Sequence, residues 1–599
     1  MVEVDLESDH VAVLYRNQFY YFRALWPGEE EGDAEGDREA MLAVSEGDIE
    51  EILQSIANDG MKMDLAETAK GALGVLTTLP RNQWAQARYQ LVNSSADNKS
   101  ALEVIDAALF VLILDDYYPE NIHDAAANML HGTHAMKEIN EDEKNDDGPR
   151  SPNSSIHGSN NLPTHATELT RHYQTGTCCN RWYDKLQIIV CSDASAGINF
   201  EHSAIDGHTA LRFASDIFAS TVVTFAKSIT KSIYTKGCPI PNMINANVLR
   251  AATRPNGKSL DTNPKKLEFD IVEQLKDRIF YAESSLGDAV NADDTHILEF
   301  DKFGKNFIVG NKMSPDALVQ MSIILGYYRL YGEIVCAYEP VLTKKYFHGR
   351  TEAMRSTTMK SVELCKVWMN RLSTKDEKLN ALRESAKNHS KLCREASEGM
   401  GVDRHLYALK CIAEKKGLPM PDFFQSEAWT ALNHTVLSTS NCGNPALRLF
   451  GFGPVVPDGF GVGYIIKDSR IQYSISSKHR QTKRFAHAIH QTLNEIRDFL
   501  EPLKSQSLGY HNATSNPIKK SNGVSMNANV GLEFSEGYDD FYGDSINSAD
   551  VKPVTATKRT SSRDGSKPSF VGLAKVAGRS SIRSLRDGDS VGTQISEKK

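Results

Sequence analysis

Between Leu186 and Val222 the hydrophobic pattern changes from strand to turn to strand to helix, and this stretch limits what the chain can fold into more than any other. The apolar run Leu186–Val190 is followed by a polar break, Ser192-Asp193-Ala194-Ser195, and then by Ile198-Asn199-Phe200 leading into Glu201-His202. That order predicts two short strands joined by a tight turn. A helical spacing of Leu211, Phe213, Ile217, Phe218 and Val222 begins after Gly207. His202 is therefore predicted at a strand-to-helix junction, where a side chain can reach a cleft. Asp206 lies four residues on, immediately before Gly207. A histidine acting as general base needs a carboxylate to stabilise its imidazolium and a tight backbone to aim the ring. The competing reading of His202 is a hydrogen-bonded surface or core histidine.

Length and composition narrow the class. The chain has 599 residues, 40% of them hydrophobic and 24% charged, enough for two to four domains with a large core. A formal net charge of -9 gives no overall basic footprint and argues against nucleic acid as a partner. The most apolar run, Ala107–Leu114, is too short to span a bilayer. The nine cysteines show no C-x-x-C spacing, which predicts reduced thiols and no zinc site. With an acidic N-terminus and no peroxisomal C-terminus, the expected location is cytoplasmic.

In chain order, Val11–Leu25 predicts a hairpin around Arg16-Asn17-Gln18. Helices are predicted at Asp48–Ala57, Arg81–Leu91 and Ala101–Leu114. A polar, turn-rich stretch from Lys137 to Glu168 reads as a flexible insertion. The first half, 1–260, carries His202 and ends in a Pro/Gly/Asn linker over Gly237–Pro264. The second half, 261–505, predicts helices at Phe269–Ala289, Pro315–Tyr331, Glu352–Leu372, Lys375–Glu398, Asp403–Lys415 and Lys483–Leu503. Its predicted strands are Ala431–Leu437, Gly461–Ile466 and Ile471–Ile475. Alternating strands and helices in both halves predict an α/β architecture with two sheets. Residues 506–599, rich in Ser, Asn, Gly and Lys, are expected to be a disordered tail, with a basic serine cluster at Arg579–Arg586.

Four stretches of the second half bear on chemistry. Lys302 and Lys305 flank Gly304, and Lys312 precedes a helix entrance at Ser314-Pro315-Asp316, a setting suited to a phosphate-rich ligand or simply to solvated lysines. Tyr338, then Gly349-Arg350-Thr351-Glu352, and later Asp403-Arg404-His405 offer hydroxyls and an arginine fork suited to a small carboxylate; each alone also fits a helix cap or an ion pair. Ser438-Thr439-Ser440 places small hydroxyls at a strand end, where they can donate to a developing oxyanion. Phe450-Gly451-Phe452-Gly453-Pro454 opens a glycine-rich run that allows close backbone approach.

Taken in order, F-E-H-S-x-x-D-G, G-R-T-E-x-x-R-S, D-R-H-L, S-T-S and G-P-V-V-P-D-G-F-G resemble the choline/carnitine acyltransferase family from about Val11 to Leu503. The resemblance implies two related α/β halves of the CoA-dependent acyltransferase type with the active site between them. It implies reversible transfer of an acyl group between coenzyme A and the hydroxyl of carnitine or choline, directly, with acyl-CoA as co-substrate and neither a permanent cofactor nor a metal. His202 then corresponds to the general base, Asp206 to its carboxylate partner and Ser440 to the oxyanion donor, with Ser438 close to the substrate. Tyr338, Thr351 and Arg404 match the groups that hold the carnitine carboxylate, and Phe452 the ring against its trimethylammonium. Lys305, Lys312 and Asp316 fall where the family holds CoA.

Choline has no carboxylate and would leave Arg404 unpaired, so Thr351 and Arg404 favour carnitine. Long-chain members carry a glycine-rich run where this sequence has Leu449-Phe450-Gly451. Phe450 is therefore expected to limit the acyl group to a short one such as acetyl. Family members carry a mainly helical segment ahead of the opening hairpin, which this chain is expected to lack. Two other readings stay open at this point: a catalytically silent CoA- or carnitine-binding protein, and an acyltransferase acting on another alcohol.

Overall fold

In the computed structural model, the described residues are 8–26, 42–138, 172–203, 205–234, 261–478 and 481–512. The chain is α/β, with two six-stranded mixed sheets. The first sheet orders its strands Ala196–Asn199, Gln187–Cys191, Val111–Asp115, His10–Tyr15, Gln18–Arg23 and Lys265–Leu267. The second runs Thr351–Arg355, Ala337–Leu342, Leu437–Asn441, Phe460–Ile466, Ile471–Lys478 and Asp293–Phe300.

Read in these orders, both sheets show the same succession of pairings: one antiparallel, two parallel, two antiparallel. A shared pairing pattern of this kind is what two related halves produce. The opening hairpin forms as expected, its turn made by Arg16 and Asn17 at φ 49° and 59°. Two successive positive φ values match the right-handed strand twist, and Asn tolerates that region well.

Three predicted elements are corrected. Ala101–Leu114 is not one helix: a helix covers Ala96–Ala107, and Val111–Asp115 is the middle strand of a parallel trio. Val111 and Ile113 pack on one layer while Leu112 and Leu114 pack on the other. A strand buried on both faces reads as an unbroken apolar run, which periodicity cannot tell from a helix. Glu352–Leu372 likewise divides into the strand Thr351–Arg355 and a helix Met359–Met369, started by a capping box at Thr358 and Ser361. The strand placed at Ala431–Leu437 lies instead at Leu437–Asn441, after a short helix Glu427–Asn433 capped by Ser426.

The helix Pro315–Tyr331 matches its prediction to the residue, because Ser314 caps it, Pro315 opens it and Gly332 closes it at φ 72°. Asp403–Lys415 also matches. The last helix, Thr482–Asn512, runs past the expected end at Leu503. Strand Lys265–Leu267 and helix Glu273–Ala292 lie beyond the predicted linker yet pack with the first sheet. Residues 139–168 of the predicted insertion, 237–260 of the linker and 513–599 of the tail lie outside the described residues. No helix among the described residues is long and apolar enough to cross a membrane.

The two faces of the second sheet differ in kind. Leu437, Phe460, Val462, Tyr464, Tyr473 and Ile475 join one core with the helices Pro315–Tyr331 and Thr482–Asn512. On the other face, register aligns a row of Arg355, Tyr338, Ser438, Gly461 and Ser476. The next row runs Ser440, Gly463 and Ser474. Side chains directly across neighbouring strands share a face, so small and polar residues line this side.

Candidate active site

His202 is exposed in the turn that joins the strand Ala196–Asn199 to the helix Gly207–Tyr234. The turn is fixed from both ends. Asn199 donates its amide to the carbonyls of Met129 and Leu130 at 3.0 and 2.9 Å, pinning the strand end. Ser203 donates its backbone N–H to the Glu201 carboxylate at 2.9 Å, and its hydroxyl donates to the same oxygen. The Phe200 and His202 rings lie 6.0 Å apart.

Asp206 is 5% exposed, and its hydrogen bonds come from Arg350 in the second half: Nη2 donates at 2.7 Å and Nε at 3.1 Å to Oδ1. Lys344 lies 3.8 Å away. The Arg350 hydrogen bond holds the Asp206 carboxyl below its usual range; burial opposes the shift, and Arg350, Lys344 and His202 add charge attraction. His202 is thus an electrostatic neighbour of Asp206, while the hydrogen bonds of that carboxylate go to Arg350. Sequence reasoning missed Arg350 as a site residue, although it stands within the G-R-T-E motif.

Thr351 directly follows Arg350 and opens the strand Thr351–Arg355. Arg404, exposed at the second position of the helix Asp403–Lys415, donates its backbone N–H to Glu352 at 3.1 Å and points Nε at the Thr351 carbonyl, 3.5 Å away. Among the described residues its terminal guanidinium nitrogens have no hydrogen-bond partner. Tyr338 sits across from Arg355 and Ser438, and burial raises its phenol pKa. Ser438 and Ser440 project from alternate positions of Leu437–Asn441, one buried and one half-buried. The hydroxyl between them on the opposite face, Thr439, is held by Gln320 at 2.9 Å and donates to the Tyr338 carbonyl at 2.8 Å.

The stretch 450–453 lies on the small-residue face. A Cβ at Gly463 would stand 2.1 Å from the Phe450 carbonyl oxygen, and one at Gly461 2.4 Å from that of Phe452. Ser474 and Ser476 flank it, each close to Gly451 or Phe452. The Phe450 and Phe452 rings are 5.7 Å apart, and their carbonyls press on Gly463 and Gly461 of the strand that pairs with Leu437–Asn441.

Of the predicted CoA residues, Lys312 and Asp316 stand at the start of the helix Pro315–Tyr331. Lys305 opens a short helix docked on the turn between the strands Phe460–Ile466 and Ile471–Lys478 by a hydrogen bond from its backbone N–H to the Lys467 carbonyl at 2.9 Å. Lys312 is exposed at φ 58°. Asp316 accepts from Tyr464 at 2.6 Å and Asn441 at 3.1 Å, which ties the helix start to the strand of Ser440. Beneath it, buried Glu339 pairs with buried His389 and accepts from Ser356 at 3.2 Å. Burial works against the charged imidazole of His389, yet the Glu339 carboxylate beside it raises its pKa. Sequence reasoning missed this pair, because its two members are 50 residues apart and neither stands in a recognised motif.

A family model described as choline/carnitine O-acyltransferase matches residues 1–491. A protein named as a putative mitochondrial carnitine O-acetyltransferase of Saccharomyces cerevisiae is 36% identical over 502 residues, 83% of this chain and 67% of that relative. Mitochondrial carnitine O-palmitoyltransferase 2 of Xenopus tropicalis is 31% identical over 506 residues, covering 84% and 64%. Its Homo sapiens counterpart is 29% identical over 501 residues, covering 83% and 63%. The chain thus spans about two thirds of the length of these curated relatives.

Proposed function

The chain belongs to the choline/carnitine O-acyltransferase family, and from that premise we propose that it transfers a short acyl group, acetyl first, reversibly between coenzyme A and the hydroxyl of carnitine. One observation carries the reading: the Asp206–Arg350 pair joins the His202 turn to the residue before Thr351, which supports base and carboxylate clamp sharing one site.

In the proposed reaction His202 takes the proton of the carnitine hydroxyl as its oxygen attacks the thioester carbonyl. Asp206, kept ionised by Arg350, favours the imidazolium electrostatically. The tetrahedral oxyanion receives a hydrogen bond from Ser440. Collapse breaks the C–S bond, and the departing thiolate takes the proton back from His202. In reverse, the same histidine deprotonates the CoA thiol. Both half-steps pass the acyl group directly, and the enzyme carries no acyl intermediate.

Tyr338, Thr351 and Arg404 would hold the carnitine carboxylate, with Ser438 beside the substrate and the ring of Phe452 against the trimethylammonium. The unpartnered end of the Arg404 fork supports carnitine over choline, which would leave that charge without a counterion. Lys305, Lys312 and Asp316 would meet CoA, the lysines through phosphate, with acyl-CoA as co-substrate. We divide the chain after Ala292, since Lys265–Leu267 and Glu273–Ala292 pack with the first sheet. The eight described cysteines are free thiols, which fits a reducing compartment; a cytoplasmic location is our reading, the relatives' names point to mitochondria, and imaging of the tagged protein in cells decides between them.

The test is thiol release from acetyl-CoA by the purified chain, with carnitine or choline as acceptor and His202→Ala as control. Turnover with carnitine that vanishes in the variant is expected. Folded protein that turns over neither acceptor would favour a silent CoA- or carnitine-binding role.

A further inference from the structure

Arg355 ends the strand Thr351–Arg355 and faces the same side of the second sheet as Tyr338 and Ser438. Its guanidinium is taken up by the protein itself. Nε and Nη2 donate to Asp403 at 2.9 and 2.7 Å, and Nη1 donates to the Thr435 hydroxyl at 3.0 Å beside Cys336 Sγ at 3.6 Å. The group also lies 5.9 Å from the centroid of the Tyr338 ring. The side chains of Arg355 and Asp403 are only 19% and 15% exposed, so this fork is desolvated as well as directional.

Asp403 is the first residue of its helix and Arg404 the second. The two arginines are therefore used in opposite ways. Arg355 has donors from all three of its nitrogens engaged by the protein, whereas Arg404 keeps its terminal nitrogens unengaged among the described residues. We propose that Arg355 is a positioning residue for the acceptor's carboxylate: it fixes Asp403, and with it the helix start that presents Arg404, and it backs the Tyr338 ring. The inference rests on the carnitine reading above.

Arg355 also has an electrostatic task. Without it, the Asp403 carboxylate would stand uncompensated next to the place where the acceptor's carboxylate binds, and it would repel that group. A cationic acceptor without a carboxylate would feel no such penalty. The variant thus loses affinity for carnitine and not for choline, a selectivity that a general loss of packing cannot imitate.

The experiment measures carnitine and choline binding by calorimetry in the presence of CoA, and steady-state constants where turnover occurs, for the full chain and for Arg355→Gln, Arg355→Lys and the double variant Arg355→Gln/Asp403→Asn. Thermal melting checks that each variant folds. Arg355→Gln is expected to weaken carnitine binding on the order of 10- to 100-fold, the scale set by an ångström of misplacement, with acetyl-CoA KM and choline affinity within about twofold. Arg355→Lys keeps the charge but loses the fork, and falls between. The double variant removes the repulsion and recovers part of the carnitine affinity. Equal losses on both acceptors, or unchanged carnitine affinity in Arg355→Gln, would overturn the proposal. A wild-type protein that binds carnitine without turnover retires acyl transfer and leaves the Arg355 comparison intact; one that binds neither acceptor retires both.

Discussion

The guanidinium of Arg350 donates two hydrogen bonds, at 2.7 and 3.1 Å, to Oδ1 of Asp206, a carboxylate carried by the other half of the chain. Arg350 is 55% exposed on its side chain while Asp206 is 6% exposed, so the pair fixes the buried partner more than it stabilises the fold. Asp206 has a depressed pKa in the folded chain, so the stability it contributes is present above the ordinary carboxylate range and is lost as pH falls through the depressed value. Arg350→Gln should lower kcat about 10- to 100-fold by loosening Asp206 near His202. It should also move the acid-side loss of activity to higher pH, because Asp206 then protonates sooner. Melting temperature should fall by a few degrees, because the buried Asp206 carboxylate loses its hydrogen bonds and keeps only Lys344 at 3.8 Å. A kcat–pH profile that superimposes on the wild type would refute the assignment.

Phe450 is half-buried with its backbone pressed on Gly463, and we propose that its ring limits the length of the acyl chain. Phe450→Gly should raise kcat/KM for an eight-carbon acyl-CoA by about tenfold or more, since each added methylene in an opened apolar pocket contributes ~0.8 kcal/mol. Acetyl-CoA should be affected far less. Competition assays with acetyl- and octanoyl-CoA measure the ratio directly, and an unchanged ratio sinks the gating role.

Gly463 is needed for close approach, because a Cβ there would stand 2.1 Å from the Phe450 oxygen and 2.8 Å from its carbonyl carbon. Both are backbone atoms, so a rotamer change cannot relieve the clash. Gly463→Ala should displace 450–453, cost ~1–3 kcal/mol in stability and disturb acyl selection through Phe450. Urea denaturation and the same competition assay check both parts. A fully stable variant with unaltered selectivity would mean that the stretch 450–453 does not rest on this strand.

The sequence made the local chemistry legible and the long-range partnerships illegible. His202 at a strand-to-helix junction and the helix Pro315–Tyr331 followed from period changes, caps and glycine placement within a few residues. The strand Val111–Asp115 was hidden because burial on both faces erases alternation. Thr351–Arg355 was hidden for a different reason: its polar ends, Thr351, Glu352 and Arg355, serve partners rather than a solvent face. Arg350 with Asp206 and His389 with Glu339 pair across 144 and 50 residues, and no spacing rule reaches that far. Motif resemblance supplied roles for single residues such as Arg404. Only the fold shows that the Arg355 guanidinium is engaged by Asp403 and Thr435, while the terminal nitrogens of Arg404 have no hydrogen-bond partner among the described residues.

Glu283 offers a test of the core away from the site. It lies on the helix Glu273–Ala292, which packs against the first sheet's layer, and burial raises its pKa to about 6. A backbone hydrogen bond from Gln174 opposes the shift without cancelling it. The native state therefore holds this proton more tightly than the unfolded chain, whose carboxyl titrates near ~4.3. Stability from this group is full below that value, falls as pH rises toward about 6 and is flat above it. Glu283→Gln removes the charge and keeps the shape, so it should be more stable than the wild type by ~1–2 kcal/mol at pH 7.5. At pH 4 the two proteins should converge, because the native carboxyl is then neutral. Urea denaturation at both pH values reads the difference. A gap of equal size at pH 4 and 7.5 would show that the amide acts through packing and that the carboxyl titrates normally in the folded chain.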